Sequence, residues 1–176
     1  MSRLESSLAL LRVWDLALCV RCNHGVRIAG VRTLFRAVSR LGDGVLWYGL
    51  MLACLAAGGA QAIRPVAHMA SIGFVCTVLY KWLKSKTSRP RPFAVESAVR
   101  AGAEPLDAFS FPSGHTLHAV AFSIIAIAYY PALAAVLVPF SVLVALSRVV
   151  LGLHYPSDVL AGAALGGILA GGSLCL

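Results

Sequence analysis

Four stretches of this 176-residue chain carry no charged side chain: residues 45–63, 66–80, 108–147 and 159–176. Such runs suit the interior of a bilayer, where about 20 residues of helix cross the hydrocarbon core and an unpaired charge is costly. The run from Ala108 to Ser147 is too long for one crossing, and it divides at Tyr129-Tyr130-Pro131-Ala132, where interfacial aromatics meet a helix breaker. The pattern predicts five transmembrane helices, at about 45–63, 66–83, 115–130, 132–150 and 158–175. The second is short before its lysines, which can snorkel to the interface. The expected fold is all-α, a polytopic membrane helix bundle forming one domain over residues 1–176.

The first forty residues read differently. Arg12, Asp15 and Arg21 interrupt the apolar stretch 8–22, so no sixth span is expected there, and no signal-peptide pattern is evident. From Val26 to Leu41 the sequence is amphipathic. Val31, Leu34, Phe35, Val38 and Leu41 fall on one helical face and Arg32, Arg36 and Arg40 on another. Residues 1–41 are therefore expected to form an interfacial segment attracted to anionic lipid, with 45–176 as the membrane bundle. A solvated helix packed on the bundle is the alternative.

A net charge of +8 would suit a nucleic-acid partner, but the basic residues sit at the edges of the predicted spans, so none is expected. The five cysteines form no disulfide framework. Cys19-Val20-Arg21-Cys22-Asn23-His24 lacks both the haem-attachment spacing and the second pair of a zinc site.

Three blocks carry chemistry. Lys84-Ser-Lys-Thr-Ser-Arg89-Pro90-Arg91-Pro92 follows the second span. A basic flank is common beside a span, but each proline restricts itself and the arginine before it, presenting guanidinium forks on a stiff backbone suited to phosphate oxygens. Pro112-Ser113-Gly114-His115 opens the third span. It is an ordinary helix start, and also an anion site at which Gly114 lets backbone amides approach closely. His118, one turn on, reads as a packing or network residue. Ser147-Arg148 ends the fourth span, followed by His154 and, at the start of the fifth, Asp158. A carboxylate at that depth needs a partner, and His154 is the nearest. A carboxylate on one ring nitrogen would orient the imidazole and leave the other free to attack. His115, His154 and Asp158 could also ligate a metal, but the surrounding cations oppose a divalent ion.

These blocks resemble the three-part signature of the type 2 phosphatidic-acid phosphatase superfamily, which includes lipid phosphate phosphatases and vanadium haloperoxidases. Its first part, a lysine and six residues before Arg-Pro, is matched only by Lys84 with Arg91-Pro92, because Trp82 stands seven before Arg89. Pro-Ser-Gly-His and Ser-Arg, five residues, His, three residues, Asp match completely, so the resemblance covers about residues 84–158. It implies a hydrolase acting on a lipid phosphate or diphosphate without metal or other cofactor. His154 would be the nucleophile and form a phosphohistidine, and Asp158 would orient it. His115 would protonate the leaving oxygen and then activate water. Lys84, Arg91, Arg148, Ser113 and the Gly114 amide would bind the phosphoryl oxygens. Polyprenyl diphosphates such as undecaprenyl diphosphate, phosphatidylglycerol phosphate and phosphatidic acid are the expected substrates. A lipid phosphotransferase using the same histidines and a non-catalytic membrane scaffold are the alternatives. Many integral members have six spans, where this chain is read with five.

Fourteen of the fifteen Lys and Arg residues fall on one side of the five-span arrangement, and Arg64 alone lies opposite. The positive-inside tendency places that side, and the three blocks, at the cytoplasmic face of a bacterial inner membrane. The resemblance points to the other face, since many bacterial relatives act in the periplasm.

Overall fold

The structure is a computed structural model and describes residues 3–176; residues 1–2 of the expected N-terminal segment lie outside it. Eight α-helices follow in order among the described residues: α1 Arg3–Asn23, α2 Ala29–Arg40, α3 Leu46–Gly58, α4 Ile63–Thr87, α5 Pro92–Val95, α6 Gly114–Tyr129, α7 Ala134–Val150 and α8 Pro156–Ser173. No strand occurs among them, as the all-α reading expects. Helices α3, α4, α6, α7 and α8 each coincide with one expected span. By length and mean hydropathy, Ala29–Val95 taken as one run and Pro131–Val150 are long and apolar enough to cross a membrane, while α6 is apolar but shorter. Tyr130-Pro131 does divide the long apolar run, since α6 ends at Tyr129 and a 3-10 turn, Pro131–Leu133, leads into α7.

Helix α6 is the hub, with α4, α7 and α8 packed around it. Its Leu117, Ala119, Ala121, Phe122, Ile125 and Ala126 meet Trp47 and Met51 of α3, Met69, Ile72 and Cys76 of α4, and Leu137 and Val144 of α7. The outward faces stay apolar too: Phe74, Leu160 and Ile168 are each about 70% exposed. That combination fits a bundle whose solvent is lipid. Helices α6 and α8 approach closely, because Gly162 and Gly166 of α8 lie against the backbone at Ser113 and Leu117.

The N-terminal helices pack on the rest of the bundle. Helix α1 forms through Arg12, Asp15 and Arg21 and packs on α7 and α8, with Asp15 and Cys19 buried and Leu10, Leu11, Val13 and Trp14 exposed. Its charges are tolerated because Asp15 finds partners far along the chain. Helix α2 begins at Ala29 and packs on α7. Of the arginines expected to face anionic lipid, Arg36 instead donates through Nε to the carbonyl of Gly102. The α2 backbone then breaks at Asp43 and Gly44 before α3 begins.

Candidate active site

The three blocks converge. Lys84 lies in the last turn of α4 and Arg91 just before α5, while Gly114 and His115 open α6. Arg148 lies in the last turn of α7, and His154 stands between α7 and α8. All six line one cavity of about 430 Å³. Its remaining wall is largely apolar or aromatic and includes Trp47, Tyr48, Met51, Phe74, Tyr80 and Phe122, with Asp43, Thr77, Asp107 and His118 completing the polar part.

A tight turn sets His154. Leu153 and His154 both donate their amides to the Arg148 carbonyl, each at 3.1 Å, folding the chain back under the arginine. Gly152 makes the turn at φ +70°, where a Cβ would stand 2.7 Å from Val99 and 2.8 Å from both the Arg100 carbonyl and the Asn23 amide. Asn23 stitches this turn to the loop before α6. It donates to the carbonyls of Arg100 (2.8 Å) and Val150 (2.9 Å) and accepts from the Arg100 amide (2.7 Å).

His154 is almost wholly buried. Burial first, and then Arg148, Arg91 and Lys84, holds its pKa well below the usual imidazole range, so the ring is neutral. Arg91 Nη1 lies 3.3 Å from its Nε2 and donates to the Leu153 carbonyl at 2.7 Å. A guanidinium only donates, so Nε2 is the lone-pair nitrogen and Nδ1 carries the proton. Nδ1 faces Asp158 Oδ2 at 3.7 Å, adjacent but beyond hydrogen-bond range, and has no other partner. The pair expected from the sequence is thus brought together without a closed hydrogen bond. Asp158 is held elsewhere: Oδ2 accepts from the Tyr155 amide at 2.9 Å and Oδ1 from Arg89 at 2.6 Å.

His115 Nε2 lies 3.4 Å from Asp43 Oδ1 at the α2–α3 break. Arg148 is 3% exposed, donates through Nη1 to Ser39 of α2, and leaves Nε without a partner among the described residues. Lys84 and Arg91 share a carboxylate the sequence reading did not assign. Lys84 Nζ reaches both Asp107 oxygens at 2.7 Å, and Arg91 Nη2 reaches Oδ1 at 2.8 Å. Burial raises the Asp107 pKa, but the two cations outweigh it and hold the carboxyl below the usual carboxylate range.

Ser113 departs from expectation. Its hydroxyl is fully buried, turned to Thr116 Oγ1 at 3.0 Å and to the Thr116 amide as the N-cap of α6, and it is not on the cavity wall. The helix start needs that oxygen more than the cavity does. Its amide donates to the Asp158 carbonyl at 3.0 Å, joining the second and third blocks. His118 is a network residue as read: Nδ1 bonds the Gly114 carbonyl at 2.8 Å and Nε2 the Thr77 hydroxyl at 3.1 Å. Asp43, Asp107 and Arg89 are what the sequence reading missed. Only Arg89 left a signal, as the first of two Arg-Pro pairs.

The same arrangement of helices is found in solved structures. Aquifex aeolicus LpxE matches with a TM-score of 0.80 at 26% identity, over 93% of this chain and 96% of that one. A Bacillus subtilis PAP2-type phosphatidylglycerolphosphate phosphatase matches with a TM-score of 0.71 at 25% identity, over 92% of this chain and 83% of that one. Among sequences, the decaprenylphosphoryl-5-phosphoribose phosphatase of Mycobacterium tuberculosis is 34% identical over 139 residues, 78% of this chain and 75% of its own length. The model of the PAP2 superfamily covers residues 44–176, which include every site residue named from the sequence, and the chain belongs to that superfamily.

Proposed function

We propose that this protein hydrolyses a phosphate ester or diphosphate carried by a membrane lipid, through a phosphohistidine on His154. The observation that carries this reading is the cavity itself: Lys84, Arg91, Arg148, His115 and His154 line it together with Trp47, Tyr48, Met51 and Phe74, whose side chains suit an apolar chain. In this reading α3, α4, α6, α7 and α8 cross the membrane, with the polar end of the cavity at one of its faces.

Chemically, Nε2 of His154 attacks phosphorus and its Nδ1 proton turns toward Asp158. Lys84, Arg91, Arg148 and the Gly114 amide carry the charge that gathers on the phosphoryl oxygens, which is where most catalysis of phosphoryl transfer originates. His115 gives a proton to the leaving oxygen, then takes one from the water that breaks the N–P bond. No step needs a metal. Asp43 beside His115 supplies an acceptor that orients this second imidazole.

Phosphate release by detergent-solubilised protein with water as the only acceptor tests the reading. Undecaprenyl diphosphate, phosphatidylglycerol phosphate, phosphatidic acid and decaprenylphosphoryl-5-phosphoribose are compared by kcat/KM. Turnover of at least one, inhibited by vanadate and unaffected by EDTA, is expected. EDTA inhibition reversed by a divalent ion would overturn the mechanism. Phosphate release only when an alcohol acceptor is added would mark a transferase.

Asp107 occupies the cations that a phosphoryl oxygen would take. Removing its charge in Asp107→Asn is therefore expected to tighten inhibition by inorganic phosphate about tenfold, since a charge-assisted hydrogen bond contributes roughly 1.5–3 kcal/mol and 1.4 kcal/mol is a factor of ten. An unchanged inhibition constant with lost turnover would show instead that Asp107 holds Lys84 and Arg91 in place.

A further inference from the structure

We infer that Asp15, on α1 and outside the residues matched to the family, is a positioning residue for the nucleophile: its carboxylate offsets Arg89, so that Asp158 keeps a net negative charge toward His154. The inference rests on His154 being the nucleophile. Arg89 bridges the two acids. Its Nη1 donates to Asp158 Oδ1 at 2.6 Å and to Ser157 Oγ at 2.8 Å, and its Nη2 donates to Asp15 Oδ2 at 2.8 Å. Asp15 is then fixed from the other side, accepting the Ser157 amide on Oδ1 at 2.9 Å and the Ser157 hydroxyl on Oδ2. The guanidinium lies over the Tyr155 ring, 3.9 Å from its centroid.

Charge counting gives the network its meaning. Asp158 is fully buried and Asp15 is 7% exposed, so solvent screens neither strongly. Two carboxylates and one guanidinium sum to −1. Without Asp15 the Arg89–Asp158 pair would sum to zero, and against the cations Lys84, Arg91 and Arg148 His154 would keep only the acids across the cavity, Asp43 and Asp107, the latter already bound to Lys84 and Arg91. The imidazole gains positive charge as Nε2 bonds to phosphorus. A neutral pair behind it would therefore raise the barrier without altering how the lipid is held. A plain anchoring role for Asp15, tying α1 to the start of α8, would instead show in stability.

Phosphate release by the purified full-length protein separates these roles. Asp15→Asn is expected to lower kcat about tenfold, the size of a typical coupling within a charged network, with KM changed less than about twofold. In an Asp158→Asn background the same change should cost less than about twofold, because the group through which Asp15 acts is already neutral. Adding Arg89→Gln to Asp15→Asn removes the unbalanced cation and should restore kcat to within about threefold of the parent. Full kcat in Asp15→Asn, an equal loss in the Asp158→Asn background, or no recovery in the paired variant would each overturn the inference. If Asp15→Asn does not purify as a monodisperse species, the paired variant decides. Failure of both to fold assigns Asp15 to folding and also overturns it. His154→Ala is the control for the reading beneath: turnover there removes the nucleophile assignment itself, whereas an inactive His154→Ala beside a fully active Asp15→Asn removes only the charge-balance role.

Discussion

Replacing His154 with alanine is expected to lower kcat by on the order of 10⁵–10⁶, the scale on which losing a covalent nucleophile operates, while the protein still folds and binds. The geometry supports both halves of that statement. Nε2 is the lone-pair nitrogen of a ring that lines the cavity, and the Asp158 carboxylate lies 3.7 Å from the ring's second nitrogen. Arg91 keeps its bonds to the Leu153 carbonyl and to Asp107 when the ring is gone, so the cation cluster should persist. Vanadate, which mimics the five-coordinate phosphorus, is expected to bind the variant weakly and inorganic phosphate nearly as well as the parent. Asp158→Asn should fall between the two, with a loss of up to about 10⁴ where an orienting carboxylate fixes the tautomer. Melting temperature measured beside kcat separates lost chemistry from lost fold. Near-parental turnover in His154→Ala would end the phosphohistidine mechanism.

What the sequence made legible were features whose cause is local. Charge-free runs and Tyr130-Pro131 marked the helices, because hydrophobic length and a helix breaker act on adjacent residues. The blocks at 84–92, 112–115 and 147–158 were legible because short spacings place reactive groups at helix ends. Partnerships across the chain were not. Asp15 read only as a charge interrupting the apolar stretch 8–22, yet it is paired with Arg89 and Ser157, the latter 142 positions away in sequence. Asp107 sits on Lys84 and Arg91 from a loop with no periodicity to read. Ser113 belongs to a motif that suggests a ligand, while its buried hydroxyl meets the nearer demand of capping α6. Pairing of this kind follows from tertiary packing, which no window of sequence contains.

The packing of α8 on α6 should be the most sensitive structural point outside the chemistry. A Cβ on Gly166 would stand 2.4 Å from the Leu117 carbonyl oxygen, and one on Gly162 2.6 Å from that of Ser113. Both obstacles are helix backbone, which cannot swing aside as a side chain would, so α8 must move away from α6. That movement cannot stay local. Asp158 lies in the first turn of α8 and its carbonyl accepts the Ser113 amide at 3.0 Å, so tilting α8 separates the second and third blocks from each other. Gly166→Ala is therefore expected to destabilise by about 3 kcal/mol, the upper part of the usual overpacking range, and to lower kcat with it. Gly167→Ala has nothing within 4 Å of the added methyl and supplies the matched comparison. It should leave activity unchanged and melt at or slightly above the parent temperature, because alanine favours a helix over glycine by about 1 kcal/mol. Melting of the two variants in the same detergent, followed beside phosphate release, checks the contrast. If Gly166→Ala melts together with Gly167→Ala, the close α6–α8 approach is not what holds the site in register.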